Sequence, residues 1–351
     1  MLAQHIPEFG RYPMTRGIEP FRKAVANWLN RRYRLPRPLD PETEVIVLNG
    51  SREGLFLAAL AARRYVGDRG ERGARPAVLL PNPFYMAYYA GALAAGCEPV
   101  ALPATRVTGF LPDYDSLPED LLQRTVALYL CSPGNPQGAV IPRDMLARIV
   151  SRARAHGAFV FSDECYSEIW LKDVPPTGVL EVTGDSFEGV VAFNSLSKRS
   201  SLPGLRCGFA AGDPQFLAAF MELRNVAAPQ VPQPVQHVAV TAYGDEAHVE
   251  ENRRLYRAKF DLADGMLAGR FNYRRPGGGF FLWLEVANYE SDEAAALALW
   301  RESGLRVVPG SYLGHTEPDG SNPGAGYIRV ALVDDLNTTE EALRRLARHH
   351  G

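Results

Sequence analysis

Cysteine is scarce and scattered in this chain. Cys97, Cys131, Cys165 and Cys207 are its four, with no C-x-x-C spacing among them. That excludes a disulfide framework and the common zinc motifs, and it fits a reducing compartment. The seven histidines include no H-E-x-x-H, so no metal is expected. No apolar run is long enough to span a bilayer, and the N-terminus lacks the basic-then-apolar shape of an export signal. A cytoplasmic protein with no membrane partner is expected. Charge of one sign is missing too: the formal net charge of −2 leaves no footprint for nucleic acid. Repeats and low-complexity stretches are absent.

What is present suits a globular protein: 46% of the 351 residues are hydrophobic and 22% charged. That length exceeds one small core and predicts a large and a smaller domain. Short apolar runs alternate with helix-period segments, the pattern of βα units on a largely parallel sheet, hence an α/β fold. Strands are expected at 45–48, 77–80, 126–131, 158–162, 190–193 and 207–211, with helices at 53–65 and 143–156. Phe21, Val25, Trp28 and Leu29 recur at helical spacing and predict one buried face. After Pro234 the texture changes. A long charged helix over 246–267 precedes Gly277-Gly278-Gly279, and strands at 280–285 and 327–332 flank a helix at 292–303. Thr338 with Glu341 reads as a capping box for a last helix. Arg31-Arg32-Tyr33-Arg34 and Arg63-Arg64 read as solvated helix faces, and His349-His350 as a frayed tail. The division that follows is 1–40 joining the smaller domain, 41–240 the large sheet domain, and 241–351 the smaller one.

The chemistry concentrates at strand ends, where ligands gather in open α/β sheets. Ser195-Leu196-Ser197-Lys198 follows an apolar run and stands eight residues ahead of Arg206. A lysine partly desolvated among hydroxyl groups can be neutral and nucleophilic near neutral pH; a solvated loop lysine is the plain alternative. Asn49-Gly50-Ser51-Arg52 opens a helix and offers free N–H groups to an anion, although most such turns are only turns. Pro81-Asn82-Pro83-Phe84-Tyr85 stiffens a loop that can hold an aromatic ring against a flat ligand. Cys131-Ser132-Pro133-Gly134-Asn135-Pro136-Gln137-Gly138 projects one amide from a rigid turn. Phe161-Ser162-Asp163 brings a carboxylate out of an apolar strand, where it needs a cation or an N–H donor. Asp163 as a helix cap with Tyr166 as core is the plain alternative there. Jointly these supply what pyridoxal 5′-phosphate requires. Lys198 would bond its aldehyde, Asp163 would face its ring nitrogen, and Asn135 and Tyr166 would donate to its phenolic oxygen. Tyr85 would carry its ring, and Ser51, Arg52, Ser195, Ser197 and Arg206 would form the phosphate cup.

At this point the chain resembles the class I/II (fold type I) pyridoxal-phosphate-dependent aminotransferases from Tyr12 to Ala331. The family pattern S-x-S-K-x-x-x-x-x-G-x-R is met by Ser195 to Arg206, D-x-x-Y by Asp163 and Tyr166, and N-P-x-G by Asn135 to Gly138. The resemblance implies a mixed, mostly parallel seven-stranded sheet between helices, with a small α/β C-terminal domain. It implies Lys198, Asp163 and Tyr166 as catalytic residues, and Arg329 with Asn135 binding the substrate carboxylate. It also implies a homodimer with shared sites, in which Tyr12 reaches the neighbouring subunit's phosphate. SPGNPQG, DECYSEIW, SLSKRSSLPGLRCGF, ENRRLYRAKF and SNPGAGYIRVALV together resemble the N-succinyl-diaminopimelate aminotransferases. That implies an amino-acid donor, with 2-oxoglutarate leaving as glutamate.

The family's N-terminal arm and its glycine-containing loop, which precede the tyrosine segment, are missing here. Either the start is truncated or the site is open and weakened. Other readings are another amino-acid aminotransferase or C–S lyase on this scaffold, a weakly active cofactor binder, or the effector domain of a transcription regulator. The last would need a helix-turn-helix segment ahead of residue 1. Ser195-x-x-Lys198 also opens the motif of serine β-lactamases, but S-D-N and K-T-G do not occur.

Overall fold

Strands β1 (Val45–Leu48), β2 (Ala77–Asn82), β3 (Glu98–Pro103), β4 (Thr125–Cys131), β5 (Phe159–Asp163), β6 (Val190–Ser195) and β7 (Gly208–Gly212) build one sheet. Its order is β1-β7-β6-β5-β4-β2-β3. β7 runs antiparallel to both neighbours and the other pairs are parallel. The computed structural model describes residues 2–67, 74–228 and 230–349.

The helices before, between and after these strands are α1 (Glu19–Arg32), α2 (Ser51–Val66), α3 (Met86–Ala94), α4 (Glu119–Gln123), α5 (Arg143–Ala155), α6 (Leu196–Arg199) and α7 (Pro214–Ala227). α8 (Gln233–Gly244) and α9 (Ala247–Leu267) then lead to a second sheet of β8 (Phe281–Glu285), β9 (Val308–Pro309) and β10 (Tyr327–Ala331). That sheet is antiparallel in the order β8-β10-β9, with α10 (Asp292–Ser303) and α11 (Leu336–Leu346) in the same stretch of chain. Among the described residues no helix is long and apolar enough to cross a membrane.

Strand sequences such as VIVL do not alternate because both faces of the large sheet are covered. Val45, Val47, Leu128 and Val160 share a core with Phe21, Trp28, Ile149 and Tyr243 of α1, α5 and α8. Ile46, Leu48, Tyr129 and Phe161 face the other way, onto Leu55, Tyr88, Phe216 and Phe220 of α2, α3 and α7. Phe21, Val25, Trp28 and Leu29 are buried as their spacing predicted. The second sheet has its own core, with Leu282, Leu284 and Ile328 against Phe260, Leu299 and Leu343.

Four expectations need correction. β3 is a strand that apolar patterning did not reveal, because EPVALP is half-buried and carries two prolines, which a sheet edge tolerates. The last helix is capped by Asp335, whose side chain accepts the Thr338 N–H, while Glu341 pairs with Arg344 and Arg345; Thr338 and Glu341 therefore form no capping box. Arg32 is not solvated: it pairs with buried Glu168 at 2.6 Å and lies against the Tyr33 and Trp170 rings. His349 is held by Ser303 Oγ at 2.6 Å rather than frayed, and His350 lies outside the described residues.

Candidate active site

Parallel pairing of β4, β5 and β6 aligns Cys131 with Asp163 and Asp163 with Phe193. The loop bearing Asn135, the carboxylate of Asp163 and the turn bearing Lys198 therefore leave the sheet side by side. Ser195 caps the short α6 by accepting the Ser197 N–H at 3.1 Å, and the two hydroxyls bond each other at 2.8 Å. This fixes the turn that presents Lys198. Its amine lies 4.8 Å from the centre of the Phe280 ring and 6.0 Å from that of Tyr166. Burial holds the ammonium below the usual lysine range; nearby Cys165 and Asp163 oppose this and Arg329 adds to it.

Asp163 is buried, and burial raises its pKa. Its donors are neutral ones: the Tyr88 hydroxyl at 2.6 Å on Oδ2 and the Cys165 N–H at 3.1 Å on Oδ1. Among the described residues it makes no ion pair with lysine or arginine, so a buried carboxylate is left for a cation from outside the chain. Tyr88 is itself locked by stacking on Tyr129, ring centres 4.6 Å apart. Sequence reasoning missed it. A tyrosine three positions beyond Tyr85 on a helical segment was the available signal.

The anion cup lies at the start of α2. Gly50 takes a φ of +76°, and a Cβ there would fall 2.2 Å from Arg206 Nη2. Glycine therefore lets the guanidinium lie across the turn, where it donates to the Pro203 and Asn49 carbonyls at 3.0 and 3.5 Å. Ser51 Oγ accepts the Cys165 thiol at 3.1 Å, and Arg52 Nε donates to the Tyr85 hydroxyl. A hollow of about 720 Å³ opens beside the cup, lined by Asn49, Arg52, Tyr85 and Arg206 with Phe56 and Met86.

The second sheet closes the site from the other side. Arg329 on β10 donates from Nη1 to Asn135 Oδ1 at 3.0 Å, its Nε is buried without a partner, and its guanidinium covers the Phe281 ring at 4.6 Å. The Gly138 carbonyl accepts the N–H groups of Gly277 and Gly278 at 3.0 and 3.1 Å. Tyr166 packs on Phe280 and Phe281. The structure thus gathers Lys198, Asp163, Tyr166, Asn135 and Arg329 around one cleft, with Ser51, Arg52, Tyr85, Ser195, Ser197 and Arg206, the residues expected to meet a phosphate, at one end. Tyr12 is not among them; it is 99% exposed.

These residues fit pyridoxal phosphate on their own chemistry. The depressed amine suits an aldehyde, the cation-free carboxylate suits a protonated ring nitrogen, and the Gly50–Arg206 cradle suits a phosphate. Lys198 would hold the aldehyde carbon, Asp163 the ring nitrogen, and Asn135 and Tyr166 the phenolic oxygen.

Residues 3–346 match the family model described as aminotransferase class I and II. The LL-diaminopimelate aminotransferase of Syntrophobacter fumaroxidans is 34% identical over 347 residues, spanning 98% of this chain and 84% of that protein. Among solved structures, an aminotransferase from Neisseria meningitidis superposes with a TM-score of 0.91 at 36% identity, covering 100% of this chain and 87% of that one. A probable N-succinyldiaminopimelate aminotransferase from Thermus thermophilus superposes with a TM-score of 0.85 at 28% identity, over 99% and 89%.

Proposed function

The chain belongs to the class I and II aminotransferases, enzymes that depend on pyridoxal 5′-phosphate, and from that premise we propose a specific reaction for it. The amino group of N-succinyl-LL-2,6-diaminopimelate passes to 2-oxoglutarate, which leaves as glutamate. The enzyme works in the cytoplasm as a homodimer with shared sites. The carrying observation is the cleft itself: a lysine of lowered pKa, a buried carboxylate bonded only by neutral donors, and an arginine with a buried, unpartnered Nε.

Bound pyridoxal phosphate supplies an aldehyde that takes up the amino group and a ring that withdraws electrons from the adjacent Cα–H bond. The chain's own residues do the rest. Lys198 Nζ, whose ammonium burial disfavours, would take the proton from the substrate Cα and return it to the adjacent cofactor carbon. Asp163 would accept a hydrogen bond from the ring nitrogen and favour its protonated form, and the Tyr88 hydroxyl favours the ionised form of that carboxylate. Arg329 grips the substrate carboxylate with its free Nε edge, steadied by Asn135. Arg206, the 49–52 turn and the Ser195–Ser197 hydroxyls would anchor the phosphate, and the centre of the Phe280 ring lies 4.8 Å from the amine.

The diaminopimelate skeleton is supported by the name of the Syntrophobacter relative and the succinylated form by that of the Thermus protein. LL-diaminopimelate itself is the second reading, favoured by the higher identity of the former. For the dimer, the exposed Tyr12 and the hollow beside the cup are complementary: in this reading the partner's Tyr12 enters that hollow. The test is to supply the holoenzyme with 2-oxoglutarate and each donor in turn, and to measure glutamate. A kcat/KM at least about tenfold higher with the succinylated donor is expected, worth about 1.4 kcal/mol. Preference for free LL-diaminopimelate would move the assignment to the second reading, and no glutamate from either would refute the diaminopimelate reading.

A further inference from the structure

Far along the chain from the cleft residues, the N-terminal 3₁₀ segment Leu2–Gly10 lies on α8 and brings three ligand-type side chains together. His5 Nδ1 is 2.8 Å from one carboxylate oxygen of Glu8, and His237 Nε2 is 3.1 Å from the other. The two imidazoles lie face to face, ring centres 3.7 Å apart and 8° from parallel. One ligand atom from each residue fits within a sphere of contacts no longer than 4.8 Å. The side chains are 22–30% exposed, so solvent reaches the cluster without flooding it.

Two imidazole nitrogens and a carboxylate form a donor set that zinc takes with a fourth position left to water. Metal–ligand bonds of about 2.0–2.2 Å place ligand atoms about 3.3 Å apart in a tetrahedron. Each imidazole nitrogen already lies within that distance of one carboxylate oxygen, and one ligand atom from each residue falls within 4.8 Å of the others, so a small inward movement brings the set to tetrahedral spacing. With the rings stacked nearly parallel, their in-plane lone pairs run side by side, so holding one ion requires one ring to tilt toward the other. Hydrogen bonding satisfies this cluster only in part: Glu8 Oε1 bonds the His5 ring, whereas Oε2 is buried without a hydrogen-bond partner. A divalent cation would engage the lone pairs of both rings and the carboxylate charge together.

We propose that His5, Glu8 and His237 bind a divalent transition-metal ion, zinc being the best match, which clamps the N-terminal segment to α8. The expectation of no metal rested on cysteine and H-E-x-x-H spacing, and neither detects ligands that only the fold brings together. The segment so clamped leads directly to Tyr12.

The test uses tag-free holoenzyme stripped with a chelator and then titrated with Zn²⁺ by calorimetry and with Co²⁺ by visible absorption. One ion per chain is expected, with cobalt bands of a nitrogen–oxygen site and no thiolate charge-transfer band. His237→Ala and Glu8→Gln should each weaken Zn²⁺ binding by about 100-fold, while far-UV circular dichroism and transamination stay as in the parent. Absence of binding, equal binding in the variants, or a thiolate band that places the ion at a cysteine would each overturn the proposal.

Discussion

Two sets of buried charges in this molecule are treated in opposite ways. Around α1, α7 and α9 each is matched within the chain. Glu168 takes Arg32 and Arg253 at 2.6 and 3.4 Å, Arg199 takes Glu246 at 2.7 Å, and Arg224 takes Glu53 at 2.6 Å. In the cleft Asp163 has neutral donors only, Lys198 has aromatic faces near its amine, and Arg329 has an amide. A buried charge matched internally holds elements together, and breaking such a pair strands the other half. One left unmatched sits with a displaced pKa and is available to a ligand. The difference separates scaffold from site without reference to any relative.

Four substitutions break or sharpen that contrast, taken from the largest effect down. Lys198→Ala should lower turnover about 10⁴-fold while leaving the urea midpoint within experimental scatter, since no ion pair is lost. An active variant would remove the lysine from the mechanism. Glu168→Ala should do the converse. It leaves Arg32 and Arg253 in the interior without their counter-charge, at a cost of about 3–5 kcal/mol in urea unfolding, with cofactor absorbance retained in native buffer.

Glu164→Gln probes a third kind of buried acid, one bonded to the Val179 N–H and the Ser162 hydroxyl. Burial pushes its pKa up to about 7 from 4.5. Folding therefore takes up a proton between those values, and native stability falls as pH rises from about 4.5 through about 7, by about 3 kcal/mol. The glutamine variant should lack that slope and outlast the parent at pH 8 but not at pH 4, read from urea midpoints at the two pH values. Tyr88→Phe removes one donor from Asp163 and should weaken pyridoxal phosphate binding about tenfold, measured by fluorescence titration of the apoenzyme. Unchanged affinity would leave Tyr88 with packing alone.

The cleft was readable to the extent that its members are unusual residues at strand ends. Lys198, Asp163 and Asn135 announce themselves because a lysine, an acid and a turn amide follow directly on apolar runs. Arg329 was placed by resemblance, and its bond to Asn135 spans 194 positions of chain. Tyr88 looked like one more aromatic in FYMAYY, and only the docking of α3 on β2 and β3, with the Tyr88 ring stacked on Tyr129, puts its hydroxyl on Asp163. β3 was invisible because an edge strand keeps a half-exposed, proline-bearing sequence. The arginine of RRYR that turned out paired and half-buried was misread for a similar reason: its partner, Glu168, lies 136 residues away.

The contact between Gly138 and the 277–278 turn carries a practical consequence. Gly138 sits at a φ of +70°, and a methyl group on it would meet the Gly278 carbonyl and the Pro276 ring, each at 2.5 Å. Anyone recruiting this scaffold for new amino donors should leave these positions undiversified, because even alanine would wedge the arginine-bearing sheet away from the asparagine loop. Libraries belong instead on residues that meet the cleft through their side chains, Phe280 first.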